Sequence, residues 1–377
     1  MDLPVIARDT PHLSEVVPSL LHALGVPGFT STLDVPELSR ACVLLIDGLG
    51  WELLDAHADV APVLNSLRRV PLRVGYPATT AAGLAAIGTG VATGEHGMAG
   101  YTFDVPGVGV LNTLSWRHHP GGPDLTDTLP AEQVQPLTTT FSRAAAAGVS
   151  TSVVSSKAFD GTSFTRAVLR GGQYVGVRAL GDLAAATLAA LRPDRAFCHA
   201  YHADLDTMGH IYGPGSPAWR LQLGQVDRLV ESLVAGLPAG SLFAVVADHG
   251  MVQLDDTVVD LDAEPELSTG VRVVAGEPRA RHVYAEDGAA PDVLAAWRET
   301  LGTRAWVLER DEAIEQGWFG PRVADQVRPR IGDVVAAARG NSGMLRRQAE
   351  PKESALIGQH GSFTTAEQLV PFAVAYG

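Results

Sequence analysis

Cysteine is scarce: Cys42 and Cys198 are the two present in 377 residues. Each lies in an apolar run, ACVLLI and RAFCHAY, and no C-x-x-C occurs. Both therefore read as buried core thiols, and neither a thiolate zinc site nor a disulfide framework is supported. Long apolar runs are missing too, since none approaches the roughly 18 residues that span a bilayer. The first stretch, MDLPVIARDTPHLSEVV, has no basic segment followed by an apolar one. It does not read as an export signal, and a cytoplasmic location is expected. Positive charge is also in short supply: 28 Lys and Arg face 42 Asp and Glu, a net charge of −14. That balance argues against nucleic-acid polymers and anionic membranes as partners.

Charged residues make up 19% and hydrophobic residues 46%, the balance of an ordinary globular protein. The length suffices for a large core or two domains. RACVLLIDGLG reads as a buried strand closed by Asp and Gly, and WELLDAHADVAPVLNSLRRV after it has helical spacing. RVGYPATT reads as a strand leading into the helix TAAGLAAIGTG. TSVVSS, RAFCHAY, SLFAVV and the closing VPFAVAYG read as further strands, with helices at DLAAATLAALRP and AWRLQLGQVDRLVESLVAGL. A polar loop is expected after RAFCHAY. Strand and helix in alternation predict an α/β fold, a mostly parallel sheet covered on both faces. Between about 265 and 350 the character shifts to a strand pair, a helix and another strand. This segment reads as a small αβ subdomain inserted into a catalytic core of 1–264 plus 351–377.

Five short motifs carry metal-grade side chains. They are Asp47 in LLIDGLG, Thr80 in YPATTAAG, Asp206 and His210 in DLDTMGH, Asp248 and His249 in VVADHGM, and His360 in GQHGSF. Several sit at strand ends, where an α/β sheet builds its site. Asp206 and His210 are spaced i, i+4, so on a helical turn they point the same way and can reach one ion. Asp248 and His249 follow VVA and precede a glycine, which is hard to explain as packing. Asp47 would look much the same as a helix N-cap, and so would Thr79 or Thr80. A helix N-terminus would, however, also favour an alkoxide and a bound phosphate at Thr80. His360 is followed by Gly361, with Gly358 close before it.

The set resembles the alkaline phosphatase superfamily, and within it the nucleotide pyrophosphatase/phosphodiesterase branch, in motif order from about residue 41 to 377. The family's P-x-x-T, T-G and H-G segments match Pro77–Thr80, Thr89–Gly90 and His96–Gly97, a register that selects Thr80 over Thr79. The resemblance implies a three-layer α/β/α sandwich and two divalent ions, zinc first with manganese or iron as alternatives. It implies that Asp206, His210 and His360 hold one ion, while Asp47, Thr80, Asp248 and His249 hold the other. Thr80 would be the nucleophile, forming a phosphothreonine, and the substrate a small phosphodiester or nucleotide pyrophosphate. A phosphomonoesterase, phosphonate hydrolase or phosphomutase on the same metal centre is the alternative, followed by a non-catalytic metal-binding protein. The chain departs from the family pattern twice. Ala82–Gly83 stands where P-N is common, and Tyr101 stands where an Asn contacts a phosphate oxygen, so Tyr101 is a candidate substrate contact. The sulfatase motif C-x-P-x-R is absent.

Overall fold

Arg40–Ile46 is buried at every position but its first, as a strand covered on both faces must be. In the computed structural model, which describes residues 3–7 and 9–377, it lies at the centre of a seven-stranded sheet. Met1, Asp2 and Arg8, part of the stretch read above for an export signal, lie outside the described residues. Ala196–His202 pairs with one side of Arg40–Ile46 and Ser241–Val246 with the other, both parallel. Ser150–Ser156 and Gln173–Val177 extend the first side in parallel. Leu369–Tyr376 runs antiparallel between Ser241–Val246 and the edge strand Arg68–Arg73. Six strands thus share one direction and the last strand opposes them. The sheet is mostly parallel, as expected, and the fold is α/β.

Three local expectations differ. The helical spacing over 51–70 is split into Trp51–Ala56 and Pro62–Ser66, with Pro62 at the start of the second helix. The strand expected in RVGYPATT lies earlier, at Arg68–Arg73, and residues 74–79 are irregular around Pro77. The polar loop expected after RAFCHAY is the helix Asp204–Tyr212.

Helices pack on the central sheet, the longest being Pro217–Ala235, which buries Trp219, Leu223, Val226 and Val230. Within 265–350 a second, four-stranded antiparallel sheet forms in the order Val271–Glu277, Ala280–Ala285, Val334–Ala338, Ala305–Glu309. It packs Trp297 of the helix Ala290–Leu301 into a core of its own. A three-stranded sheet spans Thr102–Val105, Gly109–Asn112 and Arg117–His118. Among the described residues no helix is long and apolar enough to cross a membrane.

Candidate active site

The three central strands all end at the same edge of the sheet. Asp47 follows Arg40–Ile46 directly, Asp248 lies just past Ser241–Val246, and the helix Asp204–Tyr212 grows from the end of Ala196–His202. Parallel register therefore brings three distant motifs together without long loops. Helix Thr80–Thr89 packs its small residues against this edge. An added Cβ at Gly83 would stand 2.4 Å from Cβ of Asp248, so the glycine makes room for that aspartate. Thr79 is the residue before the helix, its side chain caps nothing, and Thr80 opens the first turn.

Three histidines present the same face. Nδ1 of His210 meets the Gly358 carbonyl at 2.7 Å, Nδ1 of His249 that of Gly250 at 2.9 Å, and Nδ1 of His360 that of Ala78 at 2.8 Å. A carbonyl can only accept, so each Nδ1 carries the proton and each Nε2 keeps a lone pair that could be offered to an ion. His210 Nε2 is 3.2 Å from Asp206 Oδ2, and His360 Nε2 is 4.0 Å from Asp206 Oδ1. His249 Nε2 lies 3.2 Å from Asp47 Oδ1 and 3.2 Å from Thr80 Oγ1. The rings of His249 and His360 stack at 3.5 Å.

Six of the sequence-selected side chains and the Thr80 hydroxyl thus converge. Asp206, His210 and His360 form one group of ligand atoms within 4.8 Å of one another, and Asp47, Asp206 and His249 form a second. Asp206 belongs to both. Asp248 is in neither group, and its Oδ1 lies 3.9 Å from His249 Nε2 while accepting the N–H of Gly48 and of His249.

The residues fit a cation. Asp47 Oδ1, Asp206 Oδ1 and Asp248 Oδ2 are buried without a hydrogen-bond partner, an arrangement that costs free energy unless positive charge neutralises it. Burial and the neighbouring Asp206 push Asp47 above the usual carboxylate range, and burial with Asp47 pushes Asp248 well above it. Burial acts to raise Asp206 too, but His210 beside it outweighs this and the net shift is downward. His249 is held up to about 10: burial opposes its charge, but Asp248 and Asp47 prevail. With Nδ1 already donating, Nε2 of His249 faces a carboxylate oxygen lone pair to lone pair unless a proton or a metal ion lies between.

One contributor escaped sequence reasoning. The Tyr201 hydroxyl donates to Asp47 Oδ2, and the parallel register that pairs Leu45 with Tyr201 puts it there. Only the strand pairing carries that signal. Tyr101 is not brought into the cluster. Its hydroxyl donates to Glu353 Oε1 at 3.2 Å and its N–H to Glu277 Oε2 at 2.8 Å. Burial, then Glu353, push the phenol up to about 12, so it stays neutral.

A cavity of about 260 Å³ opens onto Thr80, Asp47 and Asp206. Phe159, Phe164, Leu114 and Tyr174 line it, with Thr162 and Thr165 among its polar groups, and among the described residues no Lys, Arg or His lines it.

With this geometry in place the relatives can be compared. The model of the type I phosphodiesterase/nucleotide pyrophosphatase family matches residues 41–363. The chain belongs to that family. It is accordingly an enzyme of the phosphoester-hydrolase kind. No curated protein matches the chain. Its fold is similar to murine ectonucleotide pyrophosphatase/phosphodiesterase 5, an inactive form in complex with AMP. That match has a TM-score of 0.69, 16% identity, and coverage of 89% of this chain and 87% of that one. The human ectonucleotide pyrophosphatase/phosphodiesterase 5 gives 0.70, 16%, 89% and 87%. Phosphonoacetate hydrolase from Sinorhizobium meliloti 1021, in complex with phosphonoformate, gives 0.66, 21%, 90% and 90%. At these identities the likeness is one of fold.

Proposed function

We propose that this phosphodiesterase-family enzyme hydrolyses small phosphodiesters through a phosphothreonine on Thr80. The observation that carries the reading is the position of the Thr80 hydroxyl. It stands at the N-terminus of a ten-residue helix, 3.2 Å from His249 Nε2, on the floor of the cavity and beside three unpartnered carboxylate oxygens. Asp206, His210 and His360 would hold one divalent ion, and Asp47, Asp248, His249 and Thr80 the other, with Asp206 within reach of both. Mixed imidazole and carboxylate donors favour zinc, with manganese or iron as alternatives. When bound, such ions supply Lewis acidity to the phosphoryl oxygens and lower the pKa of a bound hydroxyl.

The chain's own groups do the rest. No side chain caps the helix Thr80–Thr89, so its first N–H groups would be available to the phosphoryl oxygens. Thr80 Oγ forms its bond to phosphorus as the bond to the leaving alkoxide breaks, and water then cleaves the phosphothreonine and restores Thr80. Tyr201 orients the Asp47 carboxylate.

The cavity lining supports one substrate class over the others. A phosphodiester places one charge at phosphorus and needs nothing cationic beyond the site, whereas a pyrophosphate or a carboxylate-bearing phosphonate brings further negative charge. With no cationic side chain among the described lining residues, a diester with a neutral, apolar substituent is the better fit. The test is Thr80→Ala on zinc-loaded protein, with a p-nitrophenyl phosphodiester, a nucleotide pyrophosphate and phosphonoacetate as substrates. The wild type should turn over the diester fastest, and the variant should lose turnover by at least 10³-fold with its zinc content near normal. Retained turnover in the variant would refute the nucleophile assignment.

A further inference from the structure

The hairpin joining Val271–Glu277 to Ala280–Ala285 carries Arg279 into the core, where it is fully buried. Its guanidinium grips Glu367 with two prongs, Nε to Oε1 at 2.9 Å and Nη2 to Oε2 at 2.6 Å, and both side chains are sealed from solvent. The third nitrogen donates to the Ser342 carbonyl. Glu367 belongs to the short helix Thr365–Gln368, which starts just beyond His360. The same two carboxylate oxygens accept the Ser362 N–H at 2.9 Å and the Thr364 hydroxyl at 2.6 Å, so the carboxylate fixes the chain immediately after His360.

The backbone of that turn reaches the other motifs. The Glu367 carbonyl accepts the Gly250 N–H at 2.8 Å. The Ala366 carbonyl oxygen would lie 1.9 Å from a Cβ added at Gly250 and 3.0 Å from one added at Gly50. One helical turn therefore abuts the segments that follow Asp47, Asp248–His249 and His360, and it comes close enough that no side chain fits at Gly250.

We propose that Arg279 and Glu367 form a positioning clamp that holds these three ligand-bearing segments in register, with the arginine delivered by the four-stranded sheet. Neither residue touches the reacting atoms. Their effect passes through Ser362 and Thr364 to His360, and through Gly250 to His249. A buried ion pair by itself gives little net stability over an apolar pair of similar volume. What the charged pair adds here is geometry: a carboxylate with all four bonding directions used, and an arginine fork that a lysine could not replace. The inference takes from the proposed function only the identity of the metal ligands.

The test is the zinc affinity of the full-length protein, measured by competition with a chromophoric chelator. The double variant Arg279→Met with Glu367→Leu removes both charges together, so neither is stranded in the core. It should bind zinc about 10–100-fold more weakly, the usual effect of losing a group that orients ligands. The metal-free variant should still unfold cooperatively, at a midpoint lowered by the unpaired Ser362 N–H and Ser342 carbonyl, and its kcat/KM should recover as zinc is raised. Zinc affinity within twofold of wild type in the folded variant overturns the proposal. Should the double variant not fold, Glu367→Asp carries the same measurement and threshold, because it keeps the charges but retracts the carboxylate by one methylene. A wild-type protein that binds zinc yet cleaves no phosphoester defeats the functional reading and leaves this comparison intact.

Discussion

Gly83→Ala adds one methyl group at a crowded point of the site. The new Cβ would fall 2.4 Å from Cβ of Asp248, 2.8 Å from its Cα and 2.9 Å from its carbonyl oxygen. Ordinary carbon contacts sit at about 3.5–4.0 Å, so helix and strand must separate by roughly 1 Å. Two effects on stability compete. Overpacking costs about 1–3 kcal/mol, while exchanging Gly for Ala inside a helix returns about 1 kcal/mol. The net destabilisation is therefore modest, about 0–2 kcal/mol. The effect on turnover should be larger, because the displaced element carries Thr80 and the displacing one carries Asp248. A misplacement of this size costs about 10²-fold in rate. The assay is kcat/KM on a p-nitrophenyl phosphodiester together with the urea midpoint. Gly181→Ala is the control, since it lies in the helix Leu180–Ala190 with nothing within 4 Å of the added carbon. A Gly83→Ala enzyme with kcat/KM within twofold of wild type would refute the reasoning.

Two further outcomes follow from particular contacts. Tyr201→Phe removes the hydroxyl that donates to Asp47 and should weaken zinc binding about 10-fold at a stability cost of about 1 kcal/mol, read by chelator competition and urea titration. His199 is fully buried with both ring nitrogens unpartnered, and burial lowers its pKa to about 4. A depressed histidine pKa means that stability is present above the unfolded value of 6.5 and drains away as pH falls towards 4. At pH 5.5 that loss is about 1.4 kcal/mol. His199→Leu should therefore shrink the drop in unfolding free energy between pH 7.5 and 5.5 by that amount, and an unchanged drop would contradict it.

Much of the candidate site was legible because four of its proposed ligands form two local pairs at strand ends. The i, i+4 spacing of Asp206 and His210 survives as a turn of the helix Asp204–Tyr212, and Asp248–His249 sits where the hydrophobic run SLFAVV stops. What escaped depends on partners remote in sequence. Arg68–Arg73 reads poorly as a strand because it is a half-exposed edge containing Pro71, which has no N–H to give to a ladder. The opposed direction of Leu369–Tyr376 cannot be seen in its apolar pattern, since parallel and antiparallel neighbours bury the same side chains. Tyr201 becomes visible only through the register with Leu45, and Gly83 only through its contact with Asp248. The resemblance suggested a substrate contact at Tyr101 from alignment alone, and its bond to Glu353, remote in sequence, could not be read there.

The central claim is that these buried carboxylates and imidazoles surround two cations beside Thr80. An anomalous-scattering map of zinc-loaded crystals tests it directly. The account predicts two peaks per chain, one contacted by Asp206, His210 and His360 and the other by Asp47, Asp248, His249 and Thr80. A map with no peak among these residues, or with His360 and Asp206 bound to no common ion, would contradict it.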